Sequence, residues 1–467
     1  EEVIVTANRR AQSLQSVPLA VTAFSGEAIE AQGIVDLKGL TERTPGFSMG
    51  SFNPGQPQLY IRGIGSNEDG AGGDQSVIVF IDEVYIGRAA GMETDLFDLE
   101  RVEILRGPQG TLFGKNVVGG AVSMITKKPG KETELATEMT LGNFNAVTLR
   151  GLASGELTDN VFGKVSFSSR RRDGYFKSEV NNYPEFFPEG VQGEDALEVN
   201  SDSMRTGLRF LPTDDIEINL SASYSQIDRN GSPNHLLPSS IGTLSAGYLA
   251  ESALIEDYDN KIQTSLYNDP GFFKSKAWST TFRIDYDFSE SVMFTSLSSF
   301  RRVRAENSDV IGTRESSAGL TTGLNALFAT VLPEFTNLIY GSNDYTDDSD
   351  TMTQEFRFTS IGDGSLEWVV GAFLMNEDTQ REEFFTLGLD LEVAPGVIIA
   401  AVPRGTGSDN QTNQTSSYAG FGQATYSFND QLSLTLGTRY TWEEKDNDRV
   451  GVSDPFGVVG TFSLGSS

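Results

Sequence analysis

The sequence predicts a transmembrane antiparallel β-barrel preceded by a compact N-terminal α/β domain. Three observations carry that expectation. From Glu132 onward, apolar and polar residues alternate with a period of two over segments of roughly 10–15 residues, longer than the strands usual in soluble sheets. The links between those segments alternate short and long, as in membrane barrels with tight turns at one rim and long loops at the other. Before Pro129 the pattern is different, a mixture of short helices and strands.

Composition agrees. The chain has 467 residues, 49 of them Gly, with no Cys, one His and a formal net charge of −30. No run of about 18 apolar residues occurs, so a helical span is excluded while a barrel is not. Without Cys there are no disulfides or thiolate metal sites. The acidity argues against nucleic acid as a partner. Arg170-Arg171-Arg172 is the one compact basic run and reads as a solvated loop edge. No charged-then-apolar leader stands at Glu1, so any export signal is expected to be removed or left out.

In chain order, Glu2, Val3, Ile4, Val5, Thr6 and Ala7 form a short β-prone segment ahead of polar residues. Too short to fold alone, it can add as a strand to the edge of a partner's sheet. Val17 to Phe24 alternates as a strand. Gly26 to Gln32 and Asp36 to Arg43 read as short helices, the second capped by Asp36. Leu59 to Gly63 and Val77 to Ile81 are further strands, the latter leading into Asp82-Glu83-Val84-Tyr85. Glu100 to Pro129 then reads as strand, glycine-rich turn, strand. Gly107, Pro108, Gly110 and Gly114 make the turn, with Gly119 and Gly120 letting the backbone pack closely. Arg62 and Arg106 each sit at a strand-to-glycine junction, where a long cation faces either solvent or a carboxylate.

Strands are expected near 133–141, 145–155, 160–171, 202–211, 215–228, 275–288, 291–306, 351–361, 365–381, 415–428 and 431–445. One face carries Leu220, Tyr224, Trp278, Phe282 and Tyr286, the other Glu217, Asn219, Arg283 and Asp285, which suits a wall between lipid and a wet lumen. In TQEFRF, Phe356 and Phe358 take the lipid side, so Glu355 and Arg357 face inward. The count of about eleven strands is odd, whereas single-chain bacterial barrels are even-numbered, so the wall reads as incomplete.

These segments closely resemble TonB-dependent outer-membrane receptors. The match runs through ERVEILRGPQGTLFG and the following GGA strand, the IRG block at Ile61–Gly63, and the FIDEVYIGR block, where the family usually has Gly or Asn in place of Glu83. EEVIVTA resembles the TonB box. The resemblance implies about twenty-two strands with an α/β plug inside the lumen. It divides the chain into a coupling segment at 1–12, a plug at 13–130, and the N-terminal half of a barrel at 131–467, its C-terminal half absent. It implies that Arg62 and Arg106 latch the plug to wall glutamates such as Glu355, whose alternative role is to line wet space with charge. The implied activity is import of a scarce solute, with TonB gripping the coupling segment. A ferric siderophore is the default cargo; oligosaccharides, a vitamin B12-like solute and haem remain open, haem the least attractive for a chain with one His. Lipid, lipopolysaccharide and a small iron chelate are the implied partners of a monomer in the bacterial outer membrane, plug toward the periplasm. No cofactor is implied. A passive pore, an adhesin and a secreted enzyme are the other classes.

Other chemistry is set aside on spacing. Gly110 to Lys115 fails as a phosphate-binding loop, because Gln109 and Asn116 stand where glycine and a hydroxyl are needed. Asp344, Thr346, Asp348 and Glu355 fall at EF-hand offsets without the required glycine, leaving only loose calcium binding by loop carboxylates. His235 is the single histidine, so neither a histidine-based triad nor a multi-histidine metal centre is available. Carboxylate pairs abound without a cleft motif, so a glycosidase has no support.

Overall fold

The computed structural model describes residues 4–466 apart from 7, 11, 16, 52–55, 69, 93–94, 176–194, 232–270, 311–335, 363, 395–396, 430 and 455–459. The N-terminal domain comprises β1 (Ile4–Val5), β2 (Gln12–Ser13), β3 (Val21–Ser25), α1 (Gly26–Ala31), α2 (Leu37–Thr41), β4 (Phe47–Ser51), β5 (Pro57–Ile61), β6 (Ile64–Gly65), β7 (Val77–Ile81), β8 (Val84–Ile86), a 3-10 turn (Ala89–Gly91), β9 (Leu99–Arg106), α3 (Gly110–Phe113) and β10 (Gly120–Thr126). Five strands form a mixed sheet in the order β3-β9-β10-β7-β8. Ile29, Leu37 and Leu40 of the two helices pack on Val79, Val102, Ile104 and Val122 of that sheet.

Local chemistry sets the boundaries. Asp36 caps α2 by accepting from the Gly39 amide at 3.0 Å, and Ser25 caps α1 from Ala28 at 3.2 Å. The strand expected from Val17 begins only at Val21, because Pro18 has no amide to give a ladder. The glycine turn is tighter than a plain loop. Gly107 (φ +91°) donates to Gly119, and Gly110 and Gly114 bracket the single helical turn α3. Gly120 is obligatory: a β-carbon there would lie 2.2 Å from the Leu105 carbonyl oxygen, at a φ of +150°.

The barrel wall is a meander of consecutive antiparallel strands: β11 (Glu134–Gly142), β12 (Ala146–Thr158), β13 (Val161–Arg172), β14 (Val199–Thr213), β15 (Ile216–Asn230), β16 (Phe272–Ser289), β17 (Val292–Val310), β18 (Thr336–Ser360), β19 (Leu366–Ala394), β20 (Val397–Asn429), β21 (Leu432–Asp454) and β22 (Gly460–Ser466). The predicted face is the one observed. Leu220, Tyr224, Trp278, Phe282 and Tyr286 are exposed on the outer surface, and the register puts Tyr224 opposite Trp278 and Leu220 opposite Phe282.

Two expectations change. The eleven expected strands are joined by a twelfth, β22, paired to β21. The links expected over Glu306 to Asp350 and Glu382 to Gln414 are in large part ladder, since β18 to β21 run far beyond the apolar alternation. Above a membrane both faces are wet, so alternation is lost while backbone pairing continues. Arg170, Arg171 and Arg172 likewise lie in β13 and pair with Asp36, Asp202 and the Leu197 carbonyl. The EF-hand offsets fall in β18, where Asp344, Thr346 and Asp348 share one face and Glu355 takes the other, so they cannot converge on an ion. His235 lies outside the described residues.

Candidate functional site

The N-terminal domain meets the wall through polar clamps, and the densest centres on Glu83. Asp82 and Glu83 form the two-residue turn between β7 and β8, with φ of +49° and +69°. Positive φ at both positions defines a turn that favours Asn-Gly or Asp-Gly. A glutamate there costs about 1 kcal/mol or more against glycine, so its side chain must be held by something. Asp82 anchors the turn by accepting from the Thr126 amide at 2.8 Å and its hydroxyl at 2.9 Å. Glu83 accepts from Arg283 of β16 at 2.8 Å, from Arg9 at 2.8 Å, and from Arg357 of β18. Burial by itself would raise the Glu83 carboxyl, but Arg357, then Arg283 and Arg9, reverse this and hold it well below the usual carboxylate range.

The cluster extends outward. Arg357 also donates to Glu355 at 2.9 Å, and Arg283 to Asp285 at 2.6 Å. Arg9 comes within 3.7 Å of Glu355. Its guanidinium lies over the Phe113 ring at 4.6 Å, so a cation–π contact adds to the ion pair. Three arginines thus face three carboxylates, and the N-terminal segment, the domain and the wall meet at one knot.

That segment is docked. β1 pairs with β2, Ile4 opposite Ser13 and Val5 opposite Gln12. Val5 is fully buried in an apolar cluster with Phe80, Leu112 and Phe113 of the domain and Val369 and Phe421 of the wall. Thr6 donates its amide (2.8 Å) and hydroxyl (3.1 Å) to Glu103, which is itself fully buried. Glu2, Val3 and Ala7 lie outside the described residues.

A second clamp lies after the 3-10 turn. Asp98 pairs with Lys164 at 2.7 Å and accepts from Ser166 at 2.9 Å; Asp95 accepts from Arg150 at 3.2 Å and Ser168 at 2.7 Å. Arg205 donates to the Phe97 and Asp95 carbonyls. A third joins Lys115, beside α3, to Glu443, with Asp74 ion-paired to both Lys115 and Lys445. The Lys115 ammonium is buried enough to be pushed down, yet Glu443 and Asp74 raise it overall.

The expected latch is corrected in its partners. Arg62 (φ +53°) is exposed, and its amide donates to the Gly46 carbonyl. Arg106 donates to Thr22 within the domain. Neither reaches Glu355, whose partners are Arg9 and Arg357. The polarity is also reversed at the knot, with a carboxylate on the domain and arginines on the wall. The sequence did hold a signal for Glu83: a glutamate in a two-residue turn where Gly or Asn is usual. Among the described residues no group of His, Cys, Asp and Glu is arranged to hold a metal ion.

Two family models match the chain: the TonB-dependent receptor plug domain over residues 13–121, and the TonB dependent receptor-like β-barrel over residues 228–466. The vitamin B12 transporter BtuB of Vibrio vulnificus is 27% identical over 187 residues, which are 38% of this chain and 29% of that protein. The ferripyoverdine receptor of Pseudomonas aeruginosa is 23% identical over 235 residues, 50% of this chain and 28% of the receptor. The crystal structure of the ferric yersiniabactin uptake receptor FyuA from Yersinia pestis superposes with a TM-score of 0.68 at 18% identity, covering 96% of this chain and 60% of that one. The chain therefore spans less than a third of the matched curated relatives and about three fifths of that structure. The barrel model alone matches more than half of the chain, and with the plug model ahead of it and the same fold in the solved receptors, the chain belongs to the TonB-dependent receptor family of outer-membrane β-barrel proteins and is not an enzyme.

Proposed function

We propose that the chain forms the plug (13–130) and adjoining barrel wall (131–467) of a receptor that imports a scarce solute, a ferric siderophore, across the bacterial outer membrane under TonB control. The plug and N-terminus face the periplasm, where the coupling segment within 1–12 is gripped. The observation that carries this reading is the Glu83 knot. Arg9 stands two residues beyond Ala7 and shares Glu83 with wall arginines Arg283 and Arg357. Tension on the segment therefore acts first on Val5, Thr6 and Arg9, and through Arg9 on the contact between plug and wall. Polar clamps of this kind yield one at a time, whereas strand ladders resist as a unit. Siderophore cargo is supported by the solved receptors of like fold, among them the FyuA structure and the siderophore receptor PiuA of Acinetobacter baumannii. A second cargo, a vitamin B12-like cobalamin, is favoured by the BtuB relatives at 27–30% identity.

Uptake of iron-59 siderophore mixtures and of cobalt-57 cobalamin is to be measured with the inner membrane energised and uncoupled, with and without Glu1 to Ala7. Import that needs both energy and the segment is the expected result. Uptake indifferent to both marks a passive pore and refutes the proposal.

A further inference from the structure

Between the plug and strands β14 to β17 lies a cavity of about 470 Å³. Among the wall side chains that line it, Lys164 and Arg283 are long enough to clamp the plug, at Asp98 and Glu83. Between them the wall is cut back to hydroxyls at successive inward positions: Ser221, Ser223 and Ser225 on β15, Ser279 and Thr281 on β16. On the other flank, by Arg9 and Ser417, the space between plug and wall is only about 50 Å³.

The plug's side of this cavity is made by the stretch from Asp82 to Gly91 together with Arg101 of β9 and the segment from Ile125 to Pro129, and of these the first stretch is held to the wall at two points. Glu83 is tied to Arg283 and Arg357. At the other end Arg301 donates to the Gly91 carbonyl at 2.7 Å and Ser275 to the Ala90 carbonyl at 3.0 Å. Gly91 permits that approach, since a β-carbon would stand 2.9 Å from the Arg301 guanidinium. Between the two points lies β8, one of the two edge strands of the plug sheet, paired to β7 alone. Arg301 is 8% exposed, and its Nε has no hydrogen-bond partner. A buried guanidinium with spare donor capacity, set among hydroxyls, suits carboxylate or other anionic oxygens.

We propose that the solute passes through this cavity, that β8 and the turn at Ala89–Gly91 swing aside as its door while β9, β10 and β7 stay in place, and that solutes presenting anionic oxygens are favoured. This rests on the import reading above. The test places the full-length receptor in planar bilayers under a potassium chloride gradient, so chloride is the probe. Wild type is expected to stay closed. Glu83→Gly, which frees one end of the door and relaxes its turn, is expected to give openings selective for chloride over potassium. Gly91→Ala, which drives a methyl group against Arg301 at the other end, gives the same openings and covers the case in which Glu83→Gly folds poorly. Adding Ser221→Trp suppresses the openings at least tenfold, while Ser417→Trp on the opposite flank leaves them. Silence of both door variants, selectivity for potassium, or block by Ser417→Trp in place of Ser221→Trp overturns the proposed route and leaves the import reading standing. A wild type that conducts unprovoked overturns the import reading itself, and the door with it.

Discussion

Arg9→Ala separates the N-terminal segment from the wall without leaving a charge stranded. Glu83 keeps Arg283 and Arg357, so the penalty of a buried unpaired carboxylate does not arise. What is lost is one hydrogen bond between charged groups, about 1.5–3 kcal/mol, and a cation–π contact with Phe113, about 1 kcal/mol. The Arg9 side chain is only 4% exposed, so solvent screening takes little from that sum. A loss of ~3 kcal/mol raises the undocked fraction of residues 4–9 roughly a hundredfold. The readout is hydrogen exchange at two amides: Thr6, which donates to Glu103, and Arg9, which donates to the Thr6 carbonyl. Both should exchange about a hundred times faster in the variant, with barrel amides unchanged. A change below threefold at Thr6 shows that Arg9 does not hold the segment. Equal acceleration throughout the barrel shows that the knot supports the whole fold.

Val5→Asp puts a carboxylate into the cluster shared by plug and wall, and should undock the segment and raise its affinity for a TonB fragment, read by titration calorimetry. Gly120→Ala forces a methyl group onto the Leu105 carbonyl and should destabilise the plug by about 1–3 kcal/mol in denaturant melts, without altering barrel assembly. The Glu83 carboxyl is held below its ordinary value of 4.5, so its stabilising effect is complete above that value and fades as pH falls through the lowered one. Plug docking, followed by protease resistance, should therefore weaken only below about pH 5. Glu83→Gln should remove that dependence while lowering docking at neutral pH, and a midpoint above pH 6 in wild type would contradict the assignment.

Much of the wall was legible because a period of two survives wherever one face meets lipid. The alternation through Trp278, Phe282 and Tyr286 gave β16 its face and nearly its bounds. Where the ladder runs beyond the apolar alternation, over 336–350 of β18 and 397–414 of β20, no such force shapes the sequence, and pairing there depends on neighbouring strands. The second helix of the plug was readable from Asp36, whose hydrogen bond closes within three residues, as does that of Ser25 on the first. The knot was not, since Glu83 meets its partners 74, 200 and 274 positions away along the chain. Arg62 and Arg106 look as suitable as Arg9 in one dimension. Only the fold shows which cation reaches the wall.

The order of strands in the plug sheet also fixes how it comes apart. Chain order places β3 first after the leading ribbon, and sheet order places it outermost, bonded to β9 alone. A pull entering at the amino end therefore meets a two-rung ribbon, then a strand with one neighbour, before any load falls on the doubly flanked strands behind. The molecule unravels like a seam with its loose thread at the hem, and each stitch must break before the next is strained.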